Sequence, residues 1–467
     1  MNILTQNYND LVKKLTIDIF TKNLNNKLNT LLNTETVFNY IDLLSNLDDN
    51  VNKLARESLI NFFEELDKNF SNSKERKKKY EIKSHHPRTI LTIFGEITYN
   101  RTFYKSKLNG KNYCFVDRFL GLHKYDYFDP YLKSLVIEYA ANNSMPKTAN
   151  YINDLIGNRL SLEQKFKYFS RQTIRNIILS AKLSKPFNDF KKNTPETLYI
   201  IADEKWIHTQ NNNKQDIMEK SIVLFEKIHN HKLIKKQIFA SMDHTFIDDC
   251  LDYIYNSYDI DKIKTIYCMG DGANWIKNLR NYFHFNANSN VINALDKFHF
   301  KQAIHQICFD PNLEKIMLNY ILNKELKNFK NLCSSLCELY PYRSQTIKDK
   351  SQYILNNWIT IHNLYDFKLN CPMESQISHN IADLFTSRPK AYSKKMIKKL
   401  MHIRLLFKNN YNIKYLYLNN FNSKKTLKIT KEHLNFNIYG NPIPHRNVIK
   451  EIANKMSSDI NFLPFWN

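Results

Sequence analysis

The stretch from Lys264 to Lys277, KTIYCMGDGANWIK, constrains the fold more than any other: an apolar run of one strand's length stops at Asp271, with Gly270 and Gly272 on either side. The chain spends only 7 glycines on 467 residues. Two of them around one aspartate imply a sharp backbone turn or the close approach of a ligand. Asp271 is then either the cap of a helix starting near Asn274 or a carboxylate held open at a strand end for chemistry. The segments before and after decide between these readings.

Upstream, TLYIIADEKWI reads as a buried strand ending near Asp203, and SIVLFEKIHN and LIKKQIFASMD as two more strands joined by a turn around His231. FIDDCLDYIYNSY follows as a helix, KTIYCMGD as the fourth strand, NWIKNLRNYF as a second helix and NVINALD as the fifth strand. Three meandering strands followed by alternating helices and strands is the order of an RNase H-like domain. In that arrangement strands one and four are neighbours, so Asp203 and Asp271 stand at adjacent strand ends, where two carboxylates can share a divalent cation. Asp296 and His299, in ALDKFHF, follow the fifth strand as a D-x-x-H pair suited to supporting the metal site or contacting a phosphate. About sixty further residues carry a helical pattern and read as a helical insertion, after which CPMESQISHNIADLF puts Glu374 at the head of a helix. Asp203, Asp271 and Glu374 form the hard-oxygen set that two-metal phosphoryl transfer requires, with Mg²⁺ or Mn²⁺ ions about 3.5–4 Å apart.

Charge points the same way. Lys and Arg number 68 against 45 Asp and Glu, a net charge of +23, which favours a polyanionic partner, with double-stranded DNA first. No apolar run approaches the roughly 20 residues that span a bilayer, and MNILTQNYNDLVKKL lacks a signal peptide's apolar core. The expectation is a soluble, intracellular protein. Seven cysteines scattered from Cys114 to Cys371 fit neither a disulfide framework nor a zinc site and read as reduced core residues.

The expected class is α+β multidomain: an RNase H-like α/β catalytic core interrupted by an α-helical insertion and preceded by helical and small β regions. Its expected parts are residues 1–84, helical; 85–129, a small antiparallel β region; and 130–192, helices resembling a helix-turn-helix. The core is expected over 193–300, the insertion over 301–371, the final core helices over 372–410 and a tail over 411–467. The basic run SNSKERKKKYEIK reads as a linker or phosphate-facing strip. Ser170 caps a helix whose Arg171, Gln172, Thr173 and Arg175 are candidate DNA contacts, as are Lys394, Lys395, Lys398, Lys399 and Arg404 on a later basic helix.

The blocks RTILTIFGEITYNRTFY…DRFLGL, SRQTIRN, ADEKWI, GDGANWIK, LDKFHF and ESQISHNIADLFTSRPKAYSKKM together resemble the ISLre group of bacterial insertion-sequence transposases, DDE enzymes related to the Mutator-like class. The resemblance covers about residues 85 to 405. It implies catalytic Asp203, Asp271 and Glu374 with the Asp296–His299 pair, and an enzyme acting as an oligomer on DNA that cleaves element ends and joins a 3′-hydroxyl to target DNA. The glycines beside Asp271 would then leave room for metal and phosphate. An RNase H-like nuclease or resolvase, or an inactive DNA-binding remnant, are the alternatives.

Overall fold

The computed structural model describes residues 37–156, 168–183, 192–210, 217–230, 232–243, 245–285, 289–369, 383–385 and 392–422. Glu374, His231, Cys371 and the expectations for residues 1–36 and 423–467 lie outside them. The chain divides into two compact units, Met1–Pro130 with Leu155–Lys165 and Asn422–Asn467, and Tyr131–Asp154 with Phe166–Phe421.

In the first unit, helix α1 (Val37–Asn72) is followed by α2 (Lys74–Lys79) and by strands β1 (Tyr80–Thr92), β2 (Gly95–Ser106) and β3 (Asn112–Cys114), then the short α3 (Phe115–Phe119). The strands form an antiparallel sheet in the order β1-β2-β3. Phe63, Leu66 and Phe70, at helical spacing on α1, pack against Ile90, Ile97, Tyr99, Tyr104 and Phe115 from the sheet side. Arg88 is buried, paired with Asp117 at 2.8 Å, and donates to the carbonyls of His123 and Asp126. The basic run is not a linker. Ser73 accepts from the Arg76 N–H and restarts the helix as α2, so the lysines belong to regular structure, and β1 begins at Tyr80, earlier than the alternation from Arg88 suggests.

The second unit begins with α4 (Pro130–Ala140), α5 (Met145–Leu155) and α6 (Arg171–Ser180). Next come β4 (Thr197–Ile207), β5 (Ile217–Phe225), a ribbon of β6 (Lys227–His229) and β7 (Lys232–Ile234), β8 (Gln237–Ser241) and α7 (Thr245–Ser257). Then follow β9 (Thr265–Gly270), α8 (Asn274–Lys277), α9 (Leu279–Tyr282) and β10 (Asn290–Leu295). Helices α10 (Lys297–Ile307), α11 (Pro311–Leu322), α12 (Leu326–Leu339), α13 (Ser344–Asn356) and α14 (Trp358–Asp366) make up the long helical stretch, and α15 (Lys394–Lys408) and α16 (Ile413–Asn422) end the described chain.

The five-stranded sheet has the order β10-β9-β4-β5-β8, with β4, β9 and β10 parallel and β5 and β8 antiparallel to their neighbours. Alternation along β4 sends Leu198, Ile200 and Ala202 to one face, against α7, α8 and α9, and Ile201 to the other, where Val223, Met269, Ala294 and Leu364 of α14 meet it. Each fully buried Ile or Leu in these layers contributes about 1.5–3 kcal/mol. Helices α10 to α14 carry a core of their own, including Phe300, Phe329, Ile347 and Ile361. The six described cysteines are free thiols, and Cys250, Cys268, Cys308 and Cys333 are buried. No described helix is long and apolar enough to cross a membrane.

Local departures from the sequence reading have physical causes. The single helix expected over NWIKNLRNYF breaks at Asn278 into α8 and α9, because the Lys277 carbonyl accepts from Asn293 Nδ2 (3.0 Å) and is lost to a continuing helix. Strand β4 does not end near Asp203 but runs on to Ile207, since β5 pairs with it as far as Ile217.

Candidate functional site

The parallel register brings three aspartates to one level. Ile201 of β4 lies opposite Met269 of β9, and Leu295 of β10 lies opposite Gly270. Carrying that register on by one or two residues puts Asp203, which is still within β4, level with Asp271 and Asp296, which directly follow the last residues of β9 and β10, on the side of the sheet where open α/β folds bind ligands. The Asp296 N–H donates to the Gly270 carbonyl at 2.7 Å, closing this edge. Pairing between β4 and β9 stops at Ile201 while β5 continues along the other side of β4, so Asp203 stands where one edge of its strand has become free.

The three side chains differ in environment. Asp203 is half-buried; burial first, and then the charge of Asp271, push its carboxyl up to about 6, while the Glu204 N–H (2.7 Å) and His299 pull it back. Asp296 is 2% exposed and caps α10, accepting from the His299 N–H; its Oδ2 also meets His299 Nδ1 at 2.9 Å. That hydrogen bond, with smaller help from the charges of Asp296, Asp271 and Asp203, raises the imidazole above its ordinary range. With Nδ1 engaged, Nε2 is the ring nitrogen left to meet a substrate oxygen. The D-x-x-H pair is therefore both a helix cap and a member of the carboxylate cluster.

A folded carboxyl that binds its proton more tightly than the unfolded one contributes stability below its ordinary value, 3.8 for Asp203, and that contribution is lost as pH rises through about 6. Wild-type protein held in chelator is therefore expected to lose stability relative to Asp203→Asn between about pH 4 and about pH 6, by up to about 3 kcal/mol. Thermal unfolding of both proteins across that range checks it; parallel profiles would contradict the assignment.

Sequence reasoning missed Glu219. It lies on β5 opposite Lys205, on the same sheet face as Asp203, and is wholly buried. Among the described residues neither carboxylate oxygen has a hydrogen-bond partner, and burial, reinforced by Asp203, pushes its carboxyl up to about 8. The available signal was a glutamate on the inward alternation of IMEKSIVLF, otherwise filled by Ser221 and Val223.

Sequence reasoning also missed the part played by the helical stretch. Tyr353 of α13 donates to the Asp271 carbonyl at 2.6 Å, and Asn357, at the corner between α13 and α14, faces Gly272. This corrects the expected role of the glycines. Gly272 has φ +88°, and a Cβ there would stand 2.5 Å from Asn357 Oδ1; a Cβ on Gly270 would stand 2.6 Å from the Ala202 carbonyl oxygen. At both positions the space a Cβ would occupy is filled by the protein's own atoms, so close packing accounts for the glycines. Asp271 does not cap α8 either: its Oδ1 accepts from the Ala273 N–H at 2.9 Å in the turn before the helix, and Ala273 holds the cap position without a side-chain bond.

Among the described residues no three His, Cys, Asp or Glu side chains already converge tightly enough to hold a metal ion. The oxygen donors of Asp203, Asp271, Asp296 and Glu219 are the type that Mg²⁺ or Mn²⁺ takes. A cavity of about 640 Å³ lies elsewhere, beside edge strand β8, lined among others by Phe239, Tyr253, Lys398, His402 and Leu405. None of the four carboxylates lines it.

The candidate DNA contacts divide. Ser170 and Thr173 form a capping box, which occupies the Thr173 hydroxyl; Gln172 bonds Asn176 along the exposed face, Arg171 is exposed and Arg175 half-buried. Lys394 and Lys395 are exposed, and Lys398 is exposed with Asp243 at 3.6 Å. Two of the list are structural. Arg404 is 2% exposed and donates to the Ala141 carbonyl and to Asn142 Oδ1, and Lys399 donates to the Ala181 carbonyl at 2.8 Å. Both bond across from α15, which packs on α6 and β8, so their charges tie separate segments together.

A model of the uncharacterised protein family UPF0236 matches residues 33–416. One UPF0236 protein of Caldanaerobacter subterraneus subsp. tengcongensis is 25% identical over 401 residues, covering 84% of this chain and 82% of its own. A second from the same organism is 25% identical over 389 residues, covering 79% of this chain and 78% of its own. The name of the first joins eleven locus designations, and that of the second joins four.

Proposed function

The chain belongs to the UPF0236 family, and from that premise we propose that it is a DDE transposase of an insertion sequence, built on an RNase H-like core and acting on DNA with Mg²⁺ or Mn²⁺. The observation that carries the reading is the alignment of Asp203, Asp271 and Asp296 at one level on three adjacent parallel strands. Buried acid side chains do not gather without compensation, because like charges at close range oppose one another. The rise of the Asp203 carboxyl to about 6, caused first by burial and then by the charge of Asp271, expresses that cost in its proton affinity. Hard oxygen donors gathered at this edge of the sheet suit divalent ions, and the fully buried oxygens of Glu219, without a hydrogen-bond partner among the described residues, add to the set. When bound, the ions would supply charge stabilisation for in-line displacement at phosphorus.

The side chains would do the rest. Asp203 and Asp271 would hold the ions, with Glu374 as the further ligand that the resemblance implies. Asp296 holds His299 through Nδ1, leaving Nε2 to contact a phosphate oxygen or the attacking hydroxyl. Tyr353 and Asn357 steady the Asp271 loop. Exposed Lys394, Lys395 and Lys398, with Arg171 and Gln172 at the start of α6, would meet the DNA backbone.

Transposition is preferred to nuclease or resolvase activity for a separate reason. One relative's name covers eleven loci of a single organism and another's covers four, the record that a self-propagating gene would leave. The test is to incubate purified full-length protein with DNA carrying the sequences that flank its own gene. Strand transfer into a target plasmid is expected with Mg²⁺ or Mn²⁺, and none after chelation. Metal-dependent cutting without joining, and without preference for those ends, would favour a nuclease.

A further inference from the structure

Resting on the reading of this site as metal-dependent, we propose that Glu219 is an additional carboxylate ligand of the cation held by Asp203. Three observations converge on it. Glu219 is 0% exposed, yet among the described residues neither oxygen has a hydrogen-bond partner. A carboxylate in that position costs several kcal/mol unless a proton or a cation compensates it. Its position is also specific: Asp203 pairs with Ser221 and Lys205 with Glu219, so Glu219 and Asp203 are diagonal neighbours on one sheet face. Such neighbours stand about 7–8 Å apart, within reach of long side chains. Finally, Lys205, its direct cross-strand partner, is exposed and makes no hydrogen bond to it, its charge only partly offsetting the burial, so Glu219 is not one half of a buried, hydrogen-bonded ion pair.

Glu219 then stands beside Asp203 on the neighbouring strand, level with Lys205, and supplies a fourth negative group to the site of Asp203, Asp271 and Asp296. It also explains a charged residue on the inward face of a central strand, where Ser221 and Val223 otherwise sit. An inert buried acid that simply keeps its proton is the competing account.

Mn²⁺ binding to full-length wild type, Glu219→Gln, Glu219→Asp and Asp203→Asn at neutral pH separates the two by calorimetry, with thermal unfolding measured with and without the ion. Without Mn²⁺, Glu219→Gln should melt at or above the wild-type temperature, since a neutral amide needs no proton taken up on folding. Its Mn²⁺ dissociation constant should rise roughly 10–100-fold, with Glu219→Asp intermediate, and the stabilisation by Mn²⁺ should shrink in step. If Glu219→Gln fails to fold, Glu219→Asp carries the test, because it keeps the charge and shortens the reach. Wild-type affinity in every folded Glu219 variant, with binding lost in Asp203→Asn, would overturn the Glu219 assignment and leave the metal site standing. No Mn²⁺ binding by wild type would overturn both.

Discussion

Asp271→Asn and Asp203→Asn are each expected to lower metal-dependent cleavage and strand transfer by at least about 10³-fold, the scale of losing a group that positions transition-state charge. The substitution is close to isosteric and removes one negative charge. Asp271 keeps its local role in either form, because the amide oxygen of asparagine can still accept from the Ala273 N–H, and Tyr353 bonds the backbone carbonyl, which the change does not touch. The fold should therefore survive, with melting temperatures at or above wild type where repulsion between Asp203 and Asp271 is relieved. Affinity for DNA should change by less than about twofold, since basic side chains supply most of it. Gel-shift titration and a strand-transfer assay on the same preparations separate the effects. A purified Asp271→Asn protein that still joins strands at the wild-type rate would remove the catalytic assignment.

Arg404→Ala is expected to cost about 2–4 kcal/mol of stability, through lost packing and through hydrogen bonds left unmade at Ala141 and Asn142. Arg404 is buried on α15, as are Leu400, Met401 and Ile403, and water cannot easily take its place. Urea unfolding monitored by circular dichroism measures the loss. Removing the exposed Lys394 or Lys395 instead should leave the unfolding midpoint within about 0.5 kcal/mol of wild type. DNA affinity per folded molecule should be unchanged in Arg404→Ala; a stable variant with weak DNA binding would reverse the assignment made here.

Much of the site was legible because it depends on local order. Asp203, Asp271 and Asp296 each terminate or follow an apolar run that reads as a strand, and His299 comes one helical turn after Asp296. Glu219 escaped because a single acid in IMEKSIVLF looks like a solvent-facing position until pairing with β4 sets which face is inward. Tyr353 and Asn357 escaped because helical periodicity reports that a face is buried and not what it is buried against. Arg404 and Lys399 were misread for the same reason: a basic helix with interleaved apolar residues carries some of its charges on the packed side, and the packing partners, Ala141 and Ala181, lie more than 200 residues away.

The two glycines beside Asp271 mark the limit of sequence reading most clearly. Their scarcity identified a backbone with special demands, since only glycine avoids the steric cost of a Cβ there. Sequence alone thus determined the strand and helix periods, the basic charge and the spacing of the acids, because each follows from residue type and near-neighbour geometry. Which groups crowd those glycines, that both faces of β5 are covered so that Glu219 is buried, and which cations on α15 are spent on packing were decided only by tertiary structure. Those contacts join segments distant in the chain, and register and close packing, set cooperatively over the whole fold, determine them.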